Sequence, residues 1–350
     1  HISTTVDSEG DTGWAPSITI GSDGLGLISF QDYTDDDLKV AHCNDLLCSS
    51  VTTTTIDSDG IVGSDTSITV GSDGLGIISY HDDTNDDLKV AHCDNVVCSS
   101  ATTSTIDSDG IVGRDTSITV GPDGLALISY FDSTNHDLKV AHCDNVVCSS
   151  ATTSTIDSPD LVGWDTSITV GSDRLGLISY QDWTNGNLKV AHCNDVPCTS
   201  ATISTIDTTG HVGGYTSITV GADGLGLISY CRQDTGDLKV AHCNNVACSS
   251  ASIFTIDSVG TSGLYTSITI GRDGRGLISY YRDDTGNLKV AHCSNITCSE
   301  SSSTGVDSDG DVGASTSITV GADGLPLISY RDWSNDDLKV VHCSNEFCIP

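Results

Sequence analysis

The chain contains no methionine, only 6 prolines and few aromatic residues (5%). Basic residues are also scarce, since 14 lysines and arginines face 48 aspartates and glutamates, giving a formal net charge of −34. Nucleic acids and anionic membranes bind basic surfaces, so we expect neither as a partner. No apolar run approaches the roughly 20 residues of a transmembrane helix, which argues against membrane insertion. No signal peptide is recognisable at His1, and we expect a processed or excised chain.

The 350 residues divide into seven blocks of equal length that align without a gap. Each block contains four short runs rich in Ile, Val, Thr and Tyr, bounded by Gly, Asp, Asn and Ser, a composition typical of strands and turns. No run shows the 3.6-residue period of a helix. In the second block the predicted strands are Thr66–Val70, Leu75–Tyr80, Leu88–Cys93 and Ala101–Ile106.

Four antiparallel strands in each of seven repeats predict an all-β fold, a seven-bladed β-propeller formed as one domain by residues 1–350. Residues 1–7 match the fourth strand of a block, and the chain ends soon after the third strand of the last block. We therefore expect Ile2–Val6 to pair with Leu338–Val341, so that the N-terminal strand completes the blade of residues 315–350. The alternative is a β-solenoid, which needs terminal caps that the first and last blocks lack.

Two repeated elements, SITVGSDGLGLISY and DLKVAHC, give the chain a resemblance along its whole length to bacterial secreted propellers with nearly identical blades. The resemblance implies a propeller fold and an extracellular setting. It implies no activity, because propellers support many unrelated functions.

Two cysteines recur in every block, beginning with Cys43 and Cys48. A strand–turn–strand with this spacing brings two Cβ atoms within disulfide range, and regular cysteines indicate an oxidising compartment. Zinc is a competing interpretation because His42 precedes Cys43, but neighbouring strand residues point to opposite faces; reduced thiols are a third. Cys231 has no counterpart and is expected to be a buried or capped thiol, or an intermolecular link. The expected disulfides are Cys43–Cys48, Cys93–Cys98, Cys143–Cys148, Cys193–Cys198, Cys243–Cys248, Cys293–Cys298 and Cys343–Cys348.

One lysine and one histidine also recur in each block, beginning with Lys39 and His42, and this repetition favours a structural role. We expect Lys39 to lie between blades and to need a carboxylate partner. We expect His42 on a packed face, in a hydrogen-bond network with Ser29 like that of tryptophan–aspartate repeat propellers. The candidate partners of the lysine are Asp7, Asp23, Asp37 and their equivalents.

The blocks differ mostly in the loops after the second and fourth strands, which share one face of a propeller. Aromatic rings in polar loops gain little from folding and are often contact residues, and Trp and Tyr stack on sugar rings. Alternatively, each ring packs over its own loop or contacts another subunit. The position after the second run is especially variable and reads Gln31, His81, Phe131, Gln181, Cys231, Tyr281 and Arg331. The candidate ligand-binding residues are Trp14, Trp164, Trp183, Trp333, Tyr33, Tyr281 and Arg331.

Acidic loops make calcium a candidate ligand, because hard cations favour carboxylates. The loops do not complete an EF-hand pattern, and Asp-Gly pairs also form plain turns, so no cofactor is required. The only Asn-x-Ser/Thr sequon makes Asn295 a glycosylation candidate at a predicted hairpin tip. The candidate calcium ligands are Asp7, Asp11, Asp307, Asp309 and Asp311.

Motifs of the common hydrolases and of phosphate-binding loops are absent. Arg232, Arg282 and Arg331 share the predicted variable face, as the arginine cluster of a sialidase requires, but the Ser-x-Asp-x-Gly-x-Thr-Trp box is missing. The sequence therefore predicts a non-enzymatic binding module, outside the cell or on its surface, that recognises glycans through the variable loops. The alternatives are a structural building block of a fibre or surface layer, which binds copies of itself, and a glycan-processing propeller enzyme.

Overall fold

The computed structural model describes residues 1–349, which form seven four-stranded antiparallel sheets and no helix. The described part of the chain accordingly contains no helix that is long and apolar enough to cross a membrane. The first and innermost strands, numbered along the chain, are β2 (Trp14–Ile20), β6 (Val62–Val70), β10 (Val112–Val120), β14 (Val162–Val170), β18 (Val212–Val220), β22 (Leu264–Ile270) and β26 (Val312–Val320). The second strands are β3 (Gly26–Asp32), β7 (Gly76–Asp82), β11 (Ala126–Asp132), β15 (Gly176–Asp182), β19 (Gly226–Arg232), β23 (Gly276–Arg282) and β27 (Pro326–Asp332). The third strands are β4 (Asp37–Cys43), β8 (Asp87–Cys93), β12 (Asp137–Cys143), β16 (Asn187–Cys193), β20 (Asp237–Cys243), β24 (Asn287–Cys293) and β28 (Asp337–His342). The fourth and outermost strands are β5 (Val51–Asp57), β9 (Ala101–Asp107), β13 (Ala151–Asp157), β17 (Ala201–Asp207), β21 (Ala251–Asp257), β25 (Ser301–Asp307) and β1 (Ile2–Asp7).

The predicted seven-bladed propeller is confirmed, and the chain closes as expected. Strand β1 pairs antiparallel with β28, with Ile2 opposite His342 and Thr4 opposite Val340. Blade 7 therefore consists of β26, β27, β28 and β1, and its first strand also contacts β2 of blade 1. This closure excludes the solenoid and covers the edge that β28 would otherwise expose.

The hydrophobic core lies between neighbouring blades. All seven residues of β7 are buried, because both faces of this second strand are covered. Leu27 and Val40 of blade 1 pack in one cluster with Ile68 and Ile78 of blade 2, and each of the other junctions has an equivalent cluster. The fold is therefore a ring of seven similar interfaces, in which burial of apolar surface joins each sheet to the next.

Each repeated lysine connects two blades, as expected, but only one of the three candidate aspartate positions is its partner. Nζ of Lys89 lies 2.6 Å from Oδ2 of Asp57, which ends the outer strand of the preceding blade. The hydroxyl of Tyr80 donates to the same Asp57 oxygen at 2.6 Å. At the closing junction Lys39 lies 2.7 Å from Asp7 and 3.1 Å from Asp32.

The other two candidate positions were wrong. The Asp23 position is occupied by a different interaction, described next, and Asp37 lies at the start of β4, where neither it nor its equivalents pairs with the lysines. The reason is the direction of the lysine side chain, which points toward the neighbouring blade instead of along its own strand.

The repeated histidines are buried or nearly so, but their partner was predicted wrongly. Nε2 of His42 lies 2.9 Å from Oδ2 of Asp23, whose other oxygen accepts the N–H of Leu25 inside the β2–β3 turn. Ser29 instead hydrogen bonds the hydroxyl of Thr66 in the next blade. The histidine therefore holds a turn within its own blade, and the serine joins two blades.

Short hairpins join the third and fourth strands of blades 1 to 6 and contain six of the seven expected disulfides. The seventh, Cys343–Cys348, lies in the segment after β28, and all seven pairs have Cα–Cα distances between 4.7 and 5.0 Å. All fourteen sulfur-bearing residues of these pairs are fully buried. Such a short covalent loop stabilises the fold by about 2 kcal/mol in the chain-entropy treatment.

Candidate functional site

Every inner strand contains a β-bulge at the same position. In β6 the register moves from Ser64 opposite His81 to Ser67 opposite Ser79, so one extra residue is inserted. The bulged residue Asp65 has a φ of 52°, in the left-handed region. All seven inner strands begin before the predicted boundary at the position of Thr66, five of them four residues earlier and two of them two residues earlier. Bulges of this kind redirect side chains, and here they turn one residue per blade toward the propeller axis.

These seven bulged residues and the residues that follow them line a central channel of about 320 Å³. The ring is asymmetric: blades 2, 3 and 4 contribute aspartates, blades 5 and 6 contribute tyrosines, and blades 7 and 1 contribute a serine and an alanine. The sequence-based predictions missed this site. The variation of the bulged residue between blocks that are otherwise similar was nevertheless a visible signal. The seven residues are Asp65, Asp115, Asp165, Tyr215, Tyr265, Ser315 and Ala15.

The three channel aspartates are partly buried and close enough to influence one another. The backbone N–H of Asp115 donates to Oδ2 of Asp65 at 3.1 Å, and that of Tyr215 donates to Oδ2 of Asp165 at 2.9 Å. Burial raises the pKa of Asp165 to about 6, and the charge of Asp65 adds to the effect. Burial, with the charges of Asp65 and Asp165, raises the pKa of Asp115 well above its ordinary value. The channel therefore concentrates carboxyl groups that resist full ionisation at neutral pH.

A row of aromatic rings crosses the same face beside the channel. The ring centroids of Phe131 and Trp164 are 5.3 Å apart, those of Trp164 and Trp183 are 5.5 Å apart, and His211 meets Trp183 edge-on at 4.9 Å. Trp164 is 37% exposed and Trp183 is 43% exposed. The row therefore presents two tryptophan faces to solvent while their neighbours hold them in place.

Trp164 also forms the wall of a pocket of about 550 Å³, which we call the first aromatic pocket. Arg114, His136 and the channel aspartate Asp115 contribute polar atoms to it. Arg114 is exposed and lies 3.5 Å from Asp83. An aromatic wall facing a cation, a histidine and a carboxyl group offers stacking and hydrogen bonding in one cavity.

A second aromatic pocket, of about 200 Å³, lies between blades 6 and 7. Tyr265, Tyr281 and Trp333 supply its rings, and Asp283 and Asp311 supply its carboxylates. The hydroxyl of Tyr281 donates to Oδ1 of Asp311 at 2.5 Å, so this tyrosine is held in a fixed orientation.

Arg331 is not on the surface, contrary to the prediction. Its guanidinium is fully buried and lies 4.3 Å from the ring of Trp14 and 4.8 Å from that of Trp333. It also lies 2.7 Å from both Asp11 and Asp336. These residues form a clamp between the first and last blades, and Tyr33 packs beside Trp14 with a centroid distance of 5.5 Å.

The three arginines that the sequence places on the variable face do not surround one carboxylate. Arg232 and Arg282 each form an ion pair with a nearby aspartate, Asp234 and Asp284 respectively, at 2.7 Å. Arg331 is in the closing clamp, where its charge is already balanced.

Arg331 and its equivalents in the other six blocks occupy a variable position that was predicted to lie in an exposed loop. This prediction was wrong. The position lies near the end of the second strand and is buried in all seven blades. In five blades its side chain donates to a carbonyl of the next blade, as His81 does to Val112 at 2.8 Å and Gln181 does to Val212 at 3.2 Å. Cys231 occupies the same position and is a buried thiol whose pKa burial raises to about 12.

Four of the five candidate calcium ligands have protein partners in this structure. Asp7 and Asp307 pair with repeated lysines, Asp11 pairs with Arg331, and Asp311 accepts from Tyr281, while Asp309 is exposed. Within residues 1–349 the one group of three potential metal ligands with atoms within 4.8 Å is His1 with the disulfide pair Cys343 and Cys348. Asn295 lies half-buried in its cysteine hairpin and donates to Ser299 at 2.9 Å.

No protein-family model matches the chain, and no curated protein sequence does. Solved structures with a similar fold include hydrazine synthase from Kuenenia stuttgartiensis, with a TM-score of 0.65 and 11% identity over 97% of this chain and 98% of that one. An α-L-arabinofuranosidase from Fusarium graminearum has a TM-score of 0.56 and 11% identity over 80% and 93% of the two chains. The leech intramolecular trans-sialidase has a TM-score of 0.53 and 11% identity over 98% and 69%. At this identity the likeness concerns the fold alone.

Proposed function

We propose that this propeller is an extracellular, non-enzymatic module that binds glycans on the face containing the channel mouth and the two aromatic pockets. The observation that carries the proposal is the exposed face of Trp164, which borders a pocket containing Arg114 and Asp115. An aromatic plate stacks on the apolar face of a sugar ring, and charged groups beside it bond the hydroxyls. The glycan-acting enzymes among the similar folds are consistent with such a ligand.

The extracellular setting rests on the seven disulfides, since such bonds persist in oxidising compartments. The candidate residues divide into two groups under this proposal. Trp164 and Trp183 contact ligand, while Trp14 and Arg331 act in the closing clamp. Trp333 and Tyr281 have contacts within the protein and also line the second pocket.

The test is a glycan array with the intact protein, followed by titration calorimetry on the best ligand. Trp164→Ala is expected to weaken binding at least about tenfold, the equivalent of about 1.4 kcal/mol. Phe254→Ala is the matched control, because this aromatic residue lies on the outer strand β21, away from the pockets. Absence of any array signal, or equal loss in both variants, contradicts the proposal.

A glycan-processing enzyme is the second candidate, and the raised pKa values of Asp115 and Asp165 favour it. A carboxyl group that remains protonated near neutral pH can serve as a general acid. The discriminating measurement is reducing-end release from the array ligand. Turnover that Asp115→Asn or Asp165→Asn abolishes, with binding retained, establishes the enzyme and overturns the binding module.

A further inference from the structure

The two aromatic pockets and the channel mouth are connected by shared residues. Asp65 and Asp115 line both the channel and the first pocket. Tyr265 lines both the channel and the second pocket. The three cavities therefore form one groove, which we call the cross-channel groove.

The groove runs across the propeller and not around it. The first pocket is formed mainly by blades 3 and 4, and the second by blades 6 and 7, so the pockets lie nearly opposite each other in the seven-bladed ring. Both ends are bordered by exposed rings, with Trp164 exposed by 37% and Trp333 by 38%. A ligand that occupies both pockets must be elongated and must pass over the channel.

Charge along the groove restricts the ligand further. Five aspartates line it, and among the described residues that line the three cavities Arg114 is the one arginine or lysine. The whole chain carries a formal charge of −34, so the long-range field has the same sign. This long-range field repels an anionic ligand, whereas neutral hydroxyl groups can hydrogen bond to the aspartates of the groove whether these are ionised or protonated.

We propose that the cross-channel groove binds the interior of a linear, uncharged polysaccharide chain, with aromatic subsites in both pockets and hydroxyl contacts at the channel mouth. This inference rests on the proposed glycan-binding function and adds the ligand's length and charge. Two weak aromatic subsites connected by one chain bind more tightly than either alone, because the second contact is intramolecular.

The test is calorimetry of the full chain with cello-, xylo-, manno- and laminari-oligosaccharides, each from the disaccharide to the octasaccharide. In at least one neutral series the affinity is expected to rise at least about tenfold between the trisaccharide and the hexasaccharide. Oligogalacturonides of equal length, which carry carboxylates, are expected to bind at least about tenfold more weakly.

Variants then locate the two subsites. Trp164→Ala in the first pocket and Tyr265→Ala at the second are each expected to reduce hexasaccharide affinity to about the trisaccharide level. Phe254→Ala is the control, and Tyr265→Phe retains the ring if the alanine variant fails to fold. The length series requires no variant.

The outcomes separate this inference from the function on which it rests. Binding that reaches its full strength with the disaccharide, loss at one pocket only, or preference for oligogalacturonides overturns the cross-channel groove and leaves a glycan binder. Absence of binding to every series and to the array overturns both.

Discussion

Lys89 of the second blade and Asp57 of the first form an ion pair with 2.6 Å between Nζ and Oδ2. The same pair is repeated around the ring, and in six blades a tyrosine hydroxyl donates to the aspartate as well. Hydrophobic packing between blades has little directional preference, whereas these charged contacts require one relative position. The ion pairs therefore define the register between neighbouring blades.

Asp57→Asn is expected to lower the free energy of unfolding by about 3 kcal/mol, because it removes the nearer counter-charge of a buried lysine and leaves only Asp82, 3.7 Å from Nζ of Lys89. Urea unfolding followed by circular dichroism measures this. Asp59→Asn, two residues away and exposed, is the control and should change stability by less than about 0.5 kcal/mol. If Asp57→Asn combined with Lys89→Met costs as much as the two single changes added together, the pair is not coupled.

Phe30→Tyr is expected to stabilise the protein. Phe30 is the one second-strand position where the tyrosine is missing, so Oδ2 of Asp7 lies 2.7 Å from Nζ of Lys39 but lacks the tyrosine hydroxyl that the six equivalent aspartates have. The added hydroxyl should reach Asp7 as Tyr80 reaches Asp57, adding about 1 kcal/mol to the free energy of unfolding. A loss of stability in the same urea assay means that the closing junction has no room for the hydroxyl.

Stability is expected to pass through a maximum at mildly acidic pH. The pKa of Asp165 is raised to about 6, so the folded state binds more protons than the unfolded chain, and stability increases as pH falls from about 6 to about 4. Burial opposes ionisation of Asp57, but hydrogen bonds from Lys89 and Tyr80 outweigh it and lower its pKa. Its contribution is present above about pH 4 and is lost as pH falls through the lowered value.

The measurement is urea unfolding between about pH 3 and pH 8 with Asp165→Asn beside the unaltered chain. The asparagine variant cannot ionise, so it should be more stable than the unaltered chain by up to about 3 kcal/mol near pH 8, and this difference should disappear near pH 3. A pH profile that is the same in both proteins contradicts the assignment of the mild-acid increase to the channel.

Arg331→Lys is expected to weaken closure of the ring by about 2 kcal/mol, because lysine lacks the planar group that stacks between Trp14 and Trp333. Tryptophan fluorescence should also shift toward that of exposed indole. Arg282→Lys is the matched control, since its ion pair with Asp284 is exposed and should change stability by less than about 0.5 kcal/mol. Equal effects of the two changes contradict a clamp at the closing junction.

The number of blades, their four strands and the closing strand were all predictable from the chain. Repetition identifies the blade, and the match of residues 1–7 to a fourth strand identifies the closure. The cysteine pairs were predictable because their separation is short and local. By contrast, the partner of Lys89 was narrowed only to three aspartate positions, because the correct one belongs to the neighbouring blade.

The candidate site was predictable only in part. Trp164 and Trp183 were recognised because an apolar ring is unusual among polar loop residues, and both are exposed. Arg331 was misplaced because a charged residue at a variable position suggests a surface, whereas two tryptophans and two aspartates surround it in the fold.

Local and periodic features were thus determined by the sequence itself: strand and turn composition, alternation, and a repeat that must close. The tertiary structure decided which residues meet at the axis and between blades. Asp65, Asp115 and Asp165 are fifty residues apart in the chain, and they become neighbours only because a bulge in each inner strand turns them into one channel. That arrangement depends on the position of each blade relative to the next, which no single repeat contains.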